Sequence, residues 1–187
     1  IEHVPEMVDA GIDSFKIEGR MKTALYVATV ARTYRRAIDA YFESQEAYER
    51  LLPWCREEIS KCTYRQFTTG FYFGKPDETT QIYDSNTYEQ DYIYLGIVEK
   101  AEAPEQPVPG NFPNSSVVSV EQRNKFSVGE TIEIMKPDGS NVEVEVLSIR
   151  NEDGQEQESA PHPQQKLKVM LSGEAEKYDI LRKKGNK

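Results

Sequence analysis

The spacing of apolar residues changes along the chain, from a helical period near its start to a period of two in its second half. Over residues 21–42, apolar side chains recur every three or four positions, which predicts an amphipathic helix. A second helix is predicted over residues 45–62, and because Pro53 falls inside its pattern, a kink or restart is expected near Leu52. Residues 4–10 have the same spacing, and Gly11 suits a left-handed cap after them.

A short strand is predicted directly after this first helix. Residues 14–17 alternate so that Phe15 and Ile17 share one face. A strand followed by a crossover helix belongs to a parallel sheet, and neighbouring units bury both faces of such a sheet. Because only one such strand is found, we expect residues 1–78 to be a mostly helical tail of a larger α/β barrel domain, so that the sequence is a fragment.

The alternating pattern begins near residue 92 and predicts six strands separated by turn residues. They cover residues 92–101, 115–122, 130–135, 141–149, 166–171 and 178–183. Six short strands without intervening helices predict a small antiparallel β-barrel over residues 79–187. Residues 151–165 are polar, and we expect a long mobile loop there. The predicted fold class is therefore α+β: a helical segment with one leftover αβ unit, followed by a barrel of about six strands.

The charge is unevenly placed. Residues 1–75 carry 11 basic and 11 acidic side chains, whereas residues 76–187 carry 12 and 21, so the second half holds the whole net charge of −9. This asymmetry favours two units and argues against the second half being a phosphate-binding surface by itself. No stretch is long and apolar enough to cross a bilayer, and no leader pattern opens the chain. A cytoplasmic protein without membrane contact is expected.

The two cysteines do not predict a disulfide or a cofactor site. Cys55 and Cys62 lie seven positions apart in a helical pattern, which separates them by roughly 10 Å along one helix. A disulfide needs α-carbons within about 7 Å, and the spacing is not a usual zinc pattern. We expect two reduced, half-buried thiols and no cofactor in this chain.

Three charged residues follow the predicted strand in the stretch DSFKIEGRM. Arg20 has the geometry to clamp a carboxylate or phosphate, with Glu18 orienting it or transferring a proton, and Lys16 points to the same side as Glu18. The alternative is an Arg–Glu pair that fixes the loop to the next helix. The residues alone leave both alternatives open.

Other basic residues predict ordinary solvated surfaces more readily than binding sites. The favoured interpretation of Lys22, Arg32, Arg35 and Arg36 is the polar face of the long helix, with a nucleic-acid contact as the alternative. In the second half, Arg123 and Lys125 are weak candidates for an RNA contact and equally suit a turn. Neither set identifies a ligand.

Three stretches resemble a known family. They are DAGIDSFKIEGRMKTALYVATVARTYRRAIDAY, TTGFYFGKP and FSVGETIEIMKPDG, and they are similar to the carboxyl-terminal part of the collagenase-like proteins of peptidase family U32. The resemblance implies a larger enzyme with a modified α/β barrel as its body and a small β-barrel at its end. Some members are described as proteases, and others are implicated in hydroxylation of tRNA or ribosomal RNA bases or of ubiquinone.

The resemblance also bears on cofactors and sites. Some members carry an iron-sulfur cluster on four cysteines, and their ligands would lie upstream of this chain, away from Cys55 and Cys62. Because α/β barrels place active sites at the carboxyl ends of their strands, Lys16, Glu18 and Arg20 become candidate substrate-binding residues, together with Arg65. Relatives often read Ser-His-Arg where this chain has residues 63–65 as Thr-Tyr-Arg.

Three classes of function follow from the resemblance. In the first, the chain ends a collagenase-like peptidase and positions a peptide substrate or partner without being catalytic itself. Its two histidines, His3 and His162, sit in no metal or nucleophile motif, and His162 is expected to be an exposed loop residue. In the second, the intact enzyme modifies tRNA or ribosomal RNA, since FSVGETIEIMKPDG looks like the barrels of translation factors.

In the third class, the barrel is purely structural and supports folding or a homodimer. Five aromatic residues suit a packed seam between the helices and the barrel: Phe71, Tyr72, Phe73, Tyr92 and Tyr94. The expected partners are the peptide or RNA substrate of the intact enzyme and its upstream catalytic domain.

Overall fold

The computed structural model describes residues 1–62, 67–76, 92–105, 110 and 112–185. Within these ranges three helices come first and seven strands follow, which confirms the α+β class. The helices are α1 (Val4–Asp9), α2 (Ala24–Glu43) and α3 (Gln45–Ser60). The strands are β1 (Tyr92–Glu102), β2 (Ser116–Glu121), β3 (Thr131–Met135), β4 (Asn141–Arg150), β5 (Glu156–Gln157), β6 (Lys166–Leu171) and β7 (Ile180–Lys184).

The two long helices form a hairpin with a single residue between them. Ser44 ends α2 and caps α3, because its side chain accepts a hydrogen bond from Ala47 N at 3.0 Å. Thr23 caps α2 in the same way. The helix α3 continues through Pro53, so the predicted restart is wrong. The helices share a small core around Val4, Ala37, Tyr48 and Cys55.

The strands close into a ring. Their order is β3-β7-β1-β2-β6-β4, and β3 also pairs with β4, so six antiparallel strands complete a barrel and β5 extends it beside β4. This confirms the predicted barrel of about six strands. Alternate residues of β2 are buried, as expected for a strand with one face toward a core. The largest core side chains are Leu95, Phe126, Ile132, Ile134, Ile149, Leu171 and Leu181.

The predicted strand over residues 14–17 does not form. This segment has no regular structure, and Ile17 is exposed, while Phe15 packs partly against the helical core. A strand is held by hydrogen bonds to a neighbouring strand. No described residue supplies such a neighbour, so alternation alone was insufficient here.

The polar segment 151–165 is attached to the barrel. Its two-residue strand β5 pairs Gln157 with Ile149 of β4. Ala160 is completely buried, and its N–H donates to Phe126 O at 2.8 Å. The predicted loop therefore contains an unpredicted strand and a core residue.

Two predictions concern the chain as a whole. The predicted boundary between residues 78 and 79 lies outside the described residues and stays a prediction. None of the helices in the described part of the chain combines the length and apolar character needed to cross a lipid bilayer.

Candidate functional site

The helices contact the barrel through a seam that is apolar at one end and charged at the other. Leu25 of α2 packs with Met135 of β3 and Ile180 of β7, and all three side chains are buried. Tyr94 and Ile97 of β1 border this apolar cluster. Next to it, charged and polar side chains from the helices and the barrel meet. We call this group the seam cluster, and its members are Arg32, Glu58, Lys61, Glu133, Asn141 and Arg182.

Glu58 of α3 is the centre of the seam cluster and is fully buried. Its Oε2 accepts hydrogen bonds from Arg32 Nη2 and, at 3.1 Å, from Arg182 Nη2. Its Oε1 accepts from Lys61 Nζ at 2.6 Å and from Asn141 Nδ2 at 2.7 Å. Both oxygens of this carboxylate are therefore fully used by protein donors.

Arg182 of β7 is equally buried and is bound on several sides. Its Nε donates to Glu133 Oε1 at 2.5 Å, and its Nη1 contacts Met135 Sδ at 3.3 Å. The guanidinium lies 4.7 Å from the centre of the Tyr92 ring, in cation–π contact. A planar fork of donors suits this arrangement better than a lysine would.

Arg32 of α2 completes the seam cluster, so the prediction that it belongs to a solvated helix face is wrong. The side chain is buried, and Nη1 donates to Lys136 O at 2.8 Å and to Asn141 Oδ1 at 3.1 Å. Its Nε is buried without a hydrogen-bond partner among the described residues. The Arg32 side chain is buried because the barrel covers this turn of α2.

The charges within the cluster determine how Glu58 ionises. Burial by itself raises the pKa of Glu58, but the Lys61 hydrogen bond and the Arg182, Lys61 and Arg32 charges outweigh it, and the pKa lies below its usual value. Burial lowers the pKa of Lys61, yet its bonds to Glu58 leave that pKa raised. Glu58 is therefore a carboxylate at neutral pH and a connector between α3 and the barrel, without an exposed atom for a substrate.

The predicted rim residues lie on an exposed loop before α2. Lys16, Glu18 and Arg20 are all exposed. Glu18 Oε1 accepts the backbone N–H of Arg20 at 2.8 Å, and no side-chain ion pair joins the two among the described residues. Of the three residues, only Glu18 and Arg20 are joined by a hydrogen bond within the described part of the chain, and a substrate-binding role for all three stays a prediction. Arg65 lies outside the described residues.

The weak RNA candidates are exposed at one end of the barrel. Arg123 and Lys125 follow β2, and the Arg123 side chain pairs with Glu121 at 2.8 Å. The backbone N–H of Arg123 donates to Leu95 O at 2.8 Å, which holds this turn against β1. Both residues are therefore turn residues in structure, and their role in RNA contact stays a prediction.

The predicted aromatic seam between the helices and the barrel is confirmed for only two of its five residues. Tyr92 is buried and Tyr94 borders the apolar part of the seam. Phe71, Tyr72 and Phe73 are instead 80%, 74% and 60% exposed, so their assignment to a packed seam is wrong. The Phe73 ring contacts the His3 ring, with 4.5 Å between centroids.

The histidines and cysteines do not form a recognisable catalytic group. His3 Nδ1 lies 3.1 Å from Glu6 Oε1, and His162 is exposed as predicted. Cys55 and Cys62 are free and fully buried, where half-burial was expected. Burial raises the pKa of each thiol to about 11.

A metal or iron-sulfur cluster does not fit the cysteines of this chain. Cluster ligands are thiolates, whereas burial raises the pKa of both thiols to about 11 and keeps them protonated at neutral pH. No group of three or more histidine, cysteine, aspartate or glutamate side chains is placed to hold a metal ion within the described ranges.

Sequence reasoning missed the seam cluster, although one signal for it existed. Glu58 lies three positions after Cys55 and one before Ile59, so it falls on the apolar face of α3. A charged residue on such a face requires a buried partner. Lys61, three positions on, is a partner that spacing could suggest, but Arg182 is 124 positions away and could not be found in this way.

The fold and the seam define a helical segment that is fixed to a small closed β-barrel. The sequences of both parts match models of one protein family. The model of peptidase family U32 matches residues 1–82, and the model of the peptidase family U32 C-terminal domain matches residues 90–182. The chain belongs to peptidase family U32.

Relatives within this family carry different names. The tRNA hydroxylation protein P1 of Bacillus subtilis is 35% identical over 183 residues, covering 98% of this chain and 41% of the relative. A collagenase of Porphyromonas gingivalis is 37% identical over 99 residues, covering 52% of this chain and 27% of the relative. This chain therefore spans less than half the length of either relative.

A solved structure is also similar. The C-terminal domain of a U32-family protein of Geobacillus thermoleovorans has 27% sequence identity, and the match covers 49% of this chain and 99% of that domain with a TM-score of 0.38.

Proposed function

We propose that this chain is the carboxyl-terminal part of a U32-family enzyme, that it positions a substrate or partner, and that it carries no catalysis by itself. The observation that carries this proposal is the Glu58 seam cluster. One buried carboxylate binds Arg32 of α2, Lys61 after α3 and Arg182 of β7. The barrel is thereby held at a fixed place on the helices, as a positioning element requires.

The chemistry of the described residues supports the non-catalytic part of the proposal. A thiol nucleophile needs a lowered pKa, and burial raises both thiol pKa values here. Glu58, whose carboxylate accepts hydrogen bonds from four side chains, is sealed from solvent. The iron-sulfur or metal chemistry that the family resemblance implies would belong to an upstream domain.

A second candidate concerns the reaction of the intact enzyme, and here tRNA base hydroxylation stands beside peptide hydrolysis. The Bacillus subtilis tRNA hydroxylation protein aligns over 98% of this chain, and the Escherichia coli tRNA hydroxylation protein P aligns over 86% at 30% identity. The Porphyromonas gingivalis collagenase aligns over 52%. The Bacillus subtilis alignment covers nearly the whole chain and so supports RNA as a substrate class that the barrel positions.

The tRNA hydroxylation candidate also bears on the location of the protein in the cell and on its partners. A protein that acts on tRNA belongs in a bacterial cytoplasm, and we propose that compartment. The upstream catalytic domain is the expected intramolecular partner, and a homodimer is a further proposed state.

Two experiments separate the candidates. The purified chain is incubated with collagen and casein, and we expect no new amino termini, because the chain lacks an activated nucleophile among its described residues. Cells lacking the gene are compared with complemented cells by mass spectrometry of tRNA nucleosides. Loss of a nucleoside carrying one added oxygen supports the RNA candidate; an unchanged nucleoside profile together with lost collagen turnover supports the peptidase.

A further inference from the structure

A cleft at one end of the barrel collects three basic side chains from two separate chain segments. It has a volume of about 620 Å³ and lies where β1 and β3 begin and β7 ends. Lys125 comes from the turn after β2, and Lys183 and Lys184 come from the end of β7. We call it the lysine cleft.

The cleft is held in place by the barrel. Lys183 and Lys184 pair in register with Ile93 and Tyr92 of β1. The turn that carries Lys125 is tied to β1, because Asn124 Nδ2 donates to Tyr94 O at 2.7 Å. The three lysines are therefore positioned by backbone pairing and by a side-chain hydrogen bond.

The charge of the cleft opposes that of the chain. Its three lysines face one acidic side chain, Glu130, which binds Lys183 with 2.6 Å between Oε2 and Nζ. Three positive charges and one negative charge leave an excess of two. Lys125 and Lys184 are exposed, and neither has a carboxylate partner in the described part of the chain. This local excess occurs in a half of the sequence with 12 basic and 21 acidic residues.

A second cleft shows what an ordinary basic surface on this barrel looks like. It contains Lys166 and Lys168 of β6, but Glu99 and Glu152 also line it, and its Arg150 is paired with Glu156 at 2.9 Å. The lysines at 166 and 168 are exposed on the same barrel, so they provide a matched comparison.

We infer that the lysine cleft binds phosphate groups of the tRNA backbone, with Lys125 and Lys184 as the main contacts. The inference rests on the tRNA hydroxylation candidate and adds the surface that would hold the substrate. Lysine ammonium groups bind phosphate as point charges, and each contact releases counterions. Asn124 and Thr131 lie in the same cleft and supply neutral hydrogen-bonding groups for sugar or phosphate oxygens. The acidic remainder of the barrel would repel the backbone elsewhere and so restrict binding to this end.

The test is a salt titration of binding between the purified chain and a tRNA transcript, at about 50 to 200 mM salt. The double variant K125E/K184E removes both unpaired lysines, and K166E/K168E makes the same charge change on the other cleft. We expect K125E/K184E to weaken binding by about tenfold or more and to lower the salt slope by about two, one for each phosphate that is no longer neutralised. K166E/K168E is expected to stay within about twofold of the unchanged chain, which is the size of a purely long-range charge effect. Thermal unfolding of each variant checks that the barrel is intact.

Three results would overturn the inference: equal weakening by both variants, no binding by the unchanged chain even at low salt, or competition by an acidic peptide as strong as that by tRNA. The binding titration tests the lysine cleft alone. The proposed function is tested separately, by the tRNA nucleosides of cells lacking the gene. If those nucleosides change and K125E/K184E still binds normally, the function stands and the lysine cleft is not its binding surface.

Discussion

Glu58 of α3 and Arg182 of β7 are 124 positions apart in sequence and form a buried ion pair, with 3.1 Å between Oε2 and Nη2. Both side chains are inaccessible to solvent. The pair is one of the direct links between the helical segment and the barrel. Removing one member would leave the other charge buried, and such changes are among the most damaging single substitutions.

The first prediction concerns Glu58→Ala. Without the carboxylate, Arg32 and Arg182 remain buried beside each other without Glu58 as counter-ion, and we expect the free energy of unfolding to fall by about 3–5 kcal/mol. Urea unfolding followed by circular dichroism measures this change. The control is Glu57→Ala, since Glu57 is 68% exposed and pairs only at the surface with Lys61. Its expected cost is below about 1 kcal/mol. Equal effects of the two variants would contradict the assignment of the seam cluster.

The second prediction is a pH dependence of the same site. Because the pKa of Glu58 is lowered in the folded chain, its contribution to stability is fully present above the unfolded pKa of about 4.3 and is lost as the pH falls through the lower folded value. The difference in unfolding free energy between the unchanged chain and Glu58→Gln should therefore be constant from about pH 7 to 5 and shrink below about pH 4. Urea titrations across this range give the comparison. A difference that grows on acidification would show that the sign is wrong.

The third prediction concerns the thiols. With a pKa of about 11, only about one molecule in a thousand of Cys55 or Cys62 is a thiolate at pH 8, and both side chains are buried. A disulfide reagent should therefore release almost no signal from the folded chain. The control is the urea-unfolded chain, which should react at both of its two cysteines. Rapid reaction in the folded state would show that a thiol is accessible and activated.

The fourth prediction concerns Gly96 in β1. A Cβ atom there would lie 2.3 Å from Val120 Cγ2 and 2.8 Å from the backbone oxygen of Glu121, so β1 and β2 would have to separate. We expect Gly96→Ala to cost about 3 kcal/mol, the upper part of the range for overpacking. Gly154→Ala is the comparison, because its Cβ would meet nothing within 4 Å and only its positive φ of 77° is unfavourable. Its expected cost is about 1–2 kcal/mol. Thermal unfolding of both variants should rank them in this order, and the reverse ranking would contradict the packing argument.

The helices and strands were predictable where the spacing of apolar residues reflects the local geometry of a helix or a strand. The six strands predicted from Tyr92 onward have a period near two, and β2 and β6 show the matching alternate burial. The helix hairpin was equally readable, because Ser44 caps α3 and the helical spacing continues on both sides of it. Gly11 has the expected positive φ of 77° at the end of the first helix.

The site was less predictable, because its parts come from distant positions. Arg32 looked like one of several basic residues on a polar helix face, and only the approach of β3 and β4 buries it. The assignment of Lys16, Glu18 and Arg20 to a rim depended on a strand that does not pair in this structure. The strand β5 was missed because two residues are too few to show a period.

The sequence by itself determined where the helices and six of the seven described strands lie, that these strands would close on themselves, and to which family the pattern is similar, since spacing, capping and turn residues act over a few neighbours. Only the tertiary structure decided which charges are buried together and which aromatic rings stay exposed. That decision depends on which surfaces meet. A residue such as Glu58 becomes a connector only when Arg182 arrives from the far end of the chain to neutralise it.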